Sequence, residues 1–256
     1  MRVATWNVNS VRARLPRLLA WLKHRQPDVA LLQELKCVDE QFPLEEVEAL
    51  GYQVEVHGQK TYNGVGILAR SRIEEVHRGL PDTEEEAGRR LITGLVDGVT
   101  FVNVYVVNGR DVEHEYYQRK LKWLARLVEW LPEHVDLNEP VVLAGDFNIT
   151  FDDLDVHDPE GWRDKILCSP KEREALQAIM DLGFVDSFRL RRGDARAYTW
   201  WDFRTRGFPK DHGLRIDHLL MTPAAVETCH EVWIDRDARD GEKPSDHAPV
   251  FAEMTT

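Results

Sequence analysis

Cysteine is scarce in this chain of 256 residues: Cys37, Cys168 and Cys229 lie far apart, are odd in number and form no CxxC pair. A disulfide framework and a cysteine-based zinc site are thereby excluded, and a reducing cytoplasm is the expected setting. Long apolar runs are missing too, since no stretch of roughly 18 residues has the hydrophobicity that a membrane crossing needs. No basic-then-apolar leader opens the sequence, and Met1 to Asn7 already read as a strand, so a soluble, unprocessed chain is expected. Positive charge is in deficit: 33 Lys and Arg against 45 Asp and Glu leave −12. Bulk electrostatics of that sign argue against a nucleic-acid partner. The charge is uneven, however. Acid clusters in Glu45-Glu46-Val47-Glu48 and Glu84-Glu85-Glu86, whereas base gathers at Arg12, Arg14 and Arg17, at Arg89-Arg90, and at Arg204, Arg206 and Lys210. That distribution leaves room for one basic face with modest, salt-sensitive affinity.

What is present is a layered α/β pattern. The hydrophobic content of 43% suffices for a sizeable core. Short strand-like runs recur at Val3 to Val8, Val29 to Leu32, Tyr52 to Val56, Val65 to Ala69, Leu91 to Val96 and Thr100 to Val107. They continue at Val141 to Ala144, Tyr198 to Trp201, Ile216 to Met221, Val226 to Ile234 and Pro249 to Glu253. Helical spacing is clearest over Glu113 to Leu131, where Tyr117, Leu121, Leu124, Leu127, Val128 and Leu131 repeat; Leu15 to His24, Leu44 to Leu50 and Pro170 to Leu182 follow the same rule. Two sheets packed face to face with helices outside accommodate this order. With no internal repeat, low-complexity tract or linker, residues 1–256 are expected to form one domain, and Asp152 to Lys165 reads as a long functional loop.

Polar residues that bind metal or move protons stand at the ends of the apolar runs, where a β-scaffold can aim them into one cleft. Asn7 ends the first run, Glu34 the second, and Asp146 and Asn148 follow Val141 to Gly145; Asp217 opens His218 to Met221, and Asp246-His247 precede Ala248 to Phe251. Each alone is ordinary: turn residues, an ion-pair partner, a capping histidine. Together they meet the demands of phosphodiester hydrolysis, which needs a base for the attacking water, charge stabilisation on the phosphate and help for the leaving oxygen. Glu34, Asn7 and Asp246 offer oxygen ligands suited to hard Mg²⁺, with Mn²⁺ as substitute. His247 can donate to the phosphate or act as base if a carboxylate such as Asp217 fixes its tautomer.

The ordered set of motifs resembles the exonuclease III type of abasic-site endonuclease, within the endonuclease/exonuclease/phosphatase superfamily, over nearly the whole chain. It is carried by Thr5-Trp-Asn-Val-Asn9, Leu32-Gln-Glu-Leu-Lys36, Gly64-Val-Gly66, Gly145-Asp-Phe-Asn148, Leu214-Arg-Ile-Asp-His218 and Lys243-Pro-Ser-Asp-His-Ala-Pro249. GDFN is shared superfamily-wide, while LRID followed by KPSDHAP is far more specific. The resemblance implies a four-layered α/β sandwich of two mixed sheets flanked by helices, divalent-metal dependence, cleavage 5′ to abasic sites, and 3′ to 5′ exonuclease and 3′-phosphatase action on double-stranded DNA. It implies Glu34 as principal metal ligand with Asn7 and Asp246 nearby, Asp146 as the group that positions or deprotonates water, and Asn148 as its orienting partner. His247 paired with Asp217 then stabilises the phosphate, with Tyr105 beside it as phenol or phenolate. No membrane partner is implied, and a cytoplasmic, nucleoid-associated monomer is expected.

For substrate recognition, Tyr198 to Arg204 resembles the family's aromatic loop, with Trp200 as the wedge; the alternative is that one of Trp200 and Trp201 is simply core. Arg12 and Asn108 are candidate phosphate or sugar contacts. Leu35, Val107 and Phe151 replace the Thr, Pro and Pro usual in the family, which bears on loop geometry rather than on any catalytic group, and Tyr116 stands where relatives often carry Lys, which bears on phosphate binding. Two competing readings are a superfamily phosphoesterase acting on phosphoinositide or sphingomyelin, and a catalytically inactive DNA-binding relative.

Overall fold

A computed structural model describes residues 1–255. Its strands are β1 (Arg2–Asn7), β2 (Val29–Gln33), β3 (Gln53–His57), β4 (Val65–Ala69), β5 (Glu74–Arg78), β6 (Leu91–Val96), β7 (Val99–Tyr105), β8 (Val141–Asp146), β9 (Val185–Asp186), β10 (Asp217–Met221), β11 (Cys229–Ile234) and β12 (Val250–Met254). The helices are α1 (Leu15–Arg25), α2 (Leu44–Glu48), α3 (Glu84–Ala87), α4 (Glu115–His134), α5 (Pro159–Trp162), α6 (Pro170–Met180), α7 (Ser187–Arg192), α8 (Gly207–Lys210) and α9 (Pro223–Thr228). Two six-stranded mixed sheets result, ordered β11-β12-β1-β2-β4-β3 and β5-β6-β7-β8-β10-β9. Each contains one parallel pair bridged by an expected amphipathic helix: β1 and β2 through α1, β7 and β8 through α4.

The strands β2, β4 and β8 are buried along their whole length because both of their faces are covered. Val3, Leu31 and Ile67 of the first sheet pack against Phe101, Ala144 and Leu219 of the second. Outside the first sheet, Leu18, Trp21 and Leu22 of α1 cover Ala4, Trp6 and Leu32; outside the second, Trp123, Leu124 and Leu127 of α4 cover Val102, Val104 and Leu143. This is the expected sandwich of four layers.

Several element expectations need correction. Tyr198 to Trp201 is not a continuous strand but a segment with isolated bridges from Trp200 to Leu214 and His247. Val226 to Thr228 closes α9, and only from Cys229 does a strand run, because Pro223 supplies a helix start that the apolar pattern masks. The segment Asp152 to Lys165 contains α5 and a short 3₁₀ turn, Asp153–Asp155. The edge strand β5 went unseen because its charged residues carry no alternation. In α4 the buried face runs through Tyr117, Lys120, Trp123, Leu124, Leu127, Trp130 and Leu131, so a lysine occupies a core position where Leu121 was expected to help.

Candidate active site

Strand register gathers the polar residues. Pairing sets Asn7 opposite Gln33, Tyr105 opposite Asp146, and Asp146 opposite Asp217. The antiparallel β12 begins beside the end of β1, which delivers Asp246 and His247 to the same edge. Gly145 makes this approach possible. Its φ of +147° is rarely available to other residues, and an added Cβ would stand 1.8 Å from the Val104 carbonyl oxygen. Glu34 and Asn148 leave their strands with φ of +53° and +52°, local strain of the kind that collects at functional positions.

At the centre, Asp146 is only 1% exposed. Its Oδ2 accepts from Asn7 Nδ2 at 2.9 Å, and its Oδ1 accepts from the Asn148 backbone N–H at 2.9 Å. Asn7 Nδ2 also donates to Glu34 Oε1 at 2.9 Å, as does the Tyr105 hydroxyl at 2.9 Å. His247 Nδ1 lies 2.9 Å from Asp217 Oδ2, while Nε2 faces Asp146 Oδ2 at 3.8 Å. Burial raises the Asp146 pKa to about 7, an effect that the nearby His247 charge reduces. For His247, burial alone would lower the pKa; the charges of Asp217 and Asp146 and the bond to Asp217 override it and raise it to about 10. Burial and the neighbouring Glu34 charge raise Tyr105 well above the ordinary phenol range, so it stands as a phenol. Glu34 is disfavoured as an anion by burial, yet Lys36 and the Asn7 amide hold it below its usual value.

Among the described residues, carboxylate and imidazole atoms converge at Glu34, Asp146 and His247, within 4.8 Å of one another. With His247 carrying its proton, the available donors are the oxygens of Glu34 and Asp146, a set that fits a hard divalent cation. Asp246 stands differently from the expected ligand trio: its Oδ1 accepts from Asn9 Nδ2 at 2.8 Å and its Oδ2 from Trp200 Nε1 at 3.0 Å. It connects to Glu34 through a polar chain, since Lys36 Nζ donates to Asn9 Oδ1 at 2.6 Å and lies 2.7 Å from Glu34 Oε2.

The flanking residues divide. Trp200 is half-buried beside Asp246, whereas Trp201 is core at 0% exposure, which separates the two members of the pair. Asn108 is exposed and donates to Asn148 Oδ1 at 2.8 Å; Arg12 is exposed. Of the basic clusters, Arg12, Arg204, Arg206 and Lys210 face solvent. Arg17 instead donates to the carbonyls of Ala238, Asp240 and Glu242, and Arg90 is buried over the Tyr105 ring at 4.6 Å. Tyr116 lies between Arg110 and Arg119, with both guanidinium carbons within 4.5 Å of its ring centroid.

Sequence reasoning passed over Arg215, although it lies in the LRID motif. Buried at 1% exposure, it grips Asp155 and Asp186, each at 2.7 Å, and so anchors the turn that leads into Asp217. Arg215→Met should leave the buried Asp186 without its cation and Asp155 with Arg189 alone, and cost about 3–5 kcal/mol. Urea unfolding reads this directly, and a loss below about 1 kcal/mol would contradict it.

The chain belongs to the endonuclease/exonuclease/phosphatase family, whose profile matches residues 4–247, and within it to the exonuclease III type. It is similar to exodeoxyribonuclease III of Haemophilus influenzae, 38% identical over 266 residues that cover 99% of this chain and 100% of the relative. Among solved structures, the 3′ phosphatase NExo from Neisseria, bound to a product DNA hairpin, superposes with a TM-score of 0.97 at 42% identity, covering 100% of both chains. An AP endonuclease from Archaeoglobus fulgidus does so with a TM-score of 0.95 at 37% identity, again over 100% of both.

Proposed function

We propose that this DNA-repair nuclease hydrolyses phosphodiester bonds of duplex DNA 5′ to abasic sites and from 3′ ends, removing 3′ phosphates as well. The observation that carries the reading is the buried Asp146 carboxylate, oriented by Asn7 and Asn148 and facing a histidine that Asp217 keeps cationic. Asp146 takes a proton from the attacking water once it is ionised. His247 offers an N–H and a positive charge to the non-bridging phosphate oxygens, where charge builds in the transition state. Tyr105 orients Glu34, and Asn148 orients Asp146. Glu34, with Asp146 beside it and Asn7 orienting both carboxylates, would hold Mg²⁺, or Mn²⁺ in its place, while Asp246 supports Glu34 from the polar chain through Asn9 and Lys36. When bound, the cation supplies Lewis-acid stabilisation of the phosphate and leaving oxygen. Trp200, Arg12 and Asn108 contact the sugar-phosphate backbone. The whole chain acts as one unit, a monomer of the cytoplasm that works at the nucleoid.

The deciding experiment is a parallel digestion, with Mg²⁺ and with EDTA, of an end-labelled duplex carrying one abasic analogue and of an intact duplex with a recessed 3′ end. A single Mg²⁺-dependent cut at the lesion and a ladder on the second substrate are expected; cleavage of neither overturns the reading. Glu34→Ala is expected to raise the half-saturating Mg²⁺ concentration at least about tenfold, as loss of a ligand or its support does. An unchanged Mg²⁺ titration would remove Glu34 from the metal site.

A further inference from the structure

Lys120 and Glu172 form an ion pair in which both side chains are fully buried, and the chemistry above uses neither. Lysine and glutamate are almost never buried so completely without a paired role. Apolar residues of similar volume generally serve stability as well or better at such a position. The pair's surroundings point to another use. The Lys120 ammonium donates to the main-chain oxygen of Asn148 at 2.6 Å and to that of Asn108 at 3.3 Å. The side chains of these two asparagines are themselves joined, and the Asn148 backbone N–H holds the Asp146 carboxylate. One ammonium therefore grips both backbones of the asparagine pair at a point where Asn148 adopts a left-handed conformation that needs support.

Glu172 anchors the ammonium from the far side. It heads α6, accepting from the backbone N–H of Leu167 and Ser169 at 3.1 Å each and from the Ser169 hydroxyl at 2.7 Å. The Leu167 carbonyl in turn accepts from the Thr150 backbone N–H at 2.8 Å. The pair thus ties the loop that follows β8 to the loop that precedes α6. We propose that Lys120, held in place by Glu172, is a positioning residue for hydrolysis: it fixes the Asn108–Asn148 pair and, through it, the orientation of Asp146. This inference rests on the roles proposed above for Asp146 and Asn148.

The test is steady-state kinetics on a duplex with a recessed 3′ end in Mg²⁺. The variant Lys120→Met/Glu172→Gln keeps volume and leaves no unpaired buried charge. Its kcat should fall about 10²-fold, the size expected when a reacting group is misplaced by roughly an ångström, with KM near the parent value. Introduced into Asp146→Asn, the same pair of changes should lower kcat no further, because the carboxylate it orients is gone. A purely structural role would give falls that multiply. Parent-like kcat in the pair variant, or multiplying falls, overturns the proposal. Parent-like kcat in Asp146→Asn alone defeats the underlying site reading instead. Should the methionine variant not fold, Lys120→Gln/Glu172→Gln retains a donor toward the Asn148 carbonyl and carries the same cycle. The expected fall there is about tenfold, and the same two results overturn the proposal.

Discussion

Replacing Asp146 by asparagine is expected to lower kcat by about 10² to 10⁴-fold, the range for loss of a general base. The amide fills the same space and can still receive the Asn148 N–H through its oxygen, while the bond from Asn7 Nδ2 is given up with the carboxylate's second oxygen. The pH profile supplies the second half of the test. Burial places the Asp146 pKa at about 7, and the active form is the carboxylate, so the rate should rise with pH through that region. Added Mg²⁺ should move this limb to lower pH, because a cation beside the carboxylate favours its charged form. In the variant the limb should vanish. Near-normal turnover, or an unchanged acid limb, would remove Asp146 from the role of base.

His247→Ala is expected to cost about 10² to 10³-fold in kcat, as loss of a preorganised donor at the developing charge does. Here the active form is the cation. Burial opposes it, but Asp217, Asp146 and Asp246 hold the pKa at about 10, so activity should persist on the alkaline side and fall only as pH rises through that value. Asp217→Asn keeps the ring while removing its nearest anion, 2.9 Å away. Its rate should be reduced less than that of His247→Ala, with the alkaline fall shifted to lower pH. A profile for Asp217→Asn that matches the parent would show that Asp217 does not sustain the imidazolium.

Much of the architecture was legible because strand and helix formation are local. The apolar runs around Val29 to Leu32, Val65 to Ala69 and Leu91 to Val96 became β2, β4 and β6, and the amphipathic stretch from Glu113 became α4. Polar residues at run ends were equally legible as a candidate site, since a strand end is where a scaffold can present them. Charged surface elements were not: β5 and α3 carry no periodic signal, and Tyr198 to Trp201 mimics a strand although its backbone pairs only at isolated bridges. The identity of the basic face also escaped, because an arginine's spacing does not reveal whether its guanidinium meets solvent, as at Arg206, or three carbonyls, as at Arg17.

By itself the sequence determined the residue types available for phosphodiester chemistry, the sandwich they stand on and the likeness to exonuclease III type enzymes, since motif order and hydrophobic period survive without coordinates. Only the tertiary structure decided which groups meet. Register set Asp146 against Asp217 and Tyr105, the packing of the sheets raised the Asp146 pKa, Asp246 was drawn to Asn9 and Trp200, and Lys120 was turned into the core beneath Asn148. These are consequences of long-range contact and desolvation, which depend on residues far apart in the chain and so leave no local pattern.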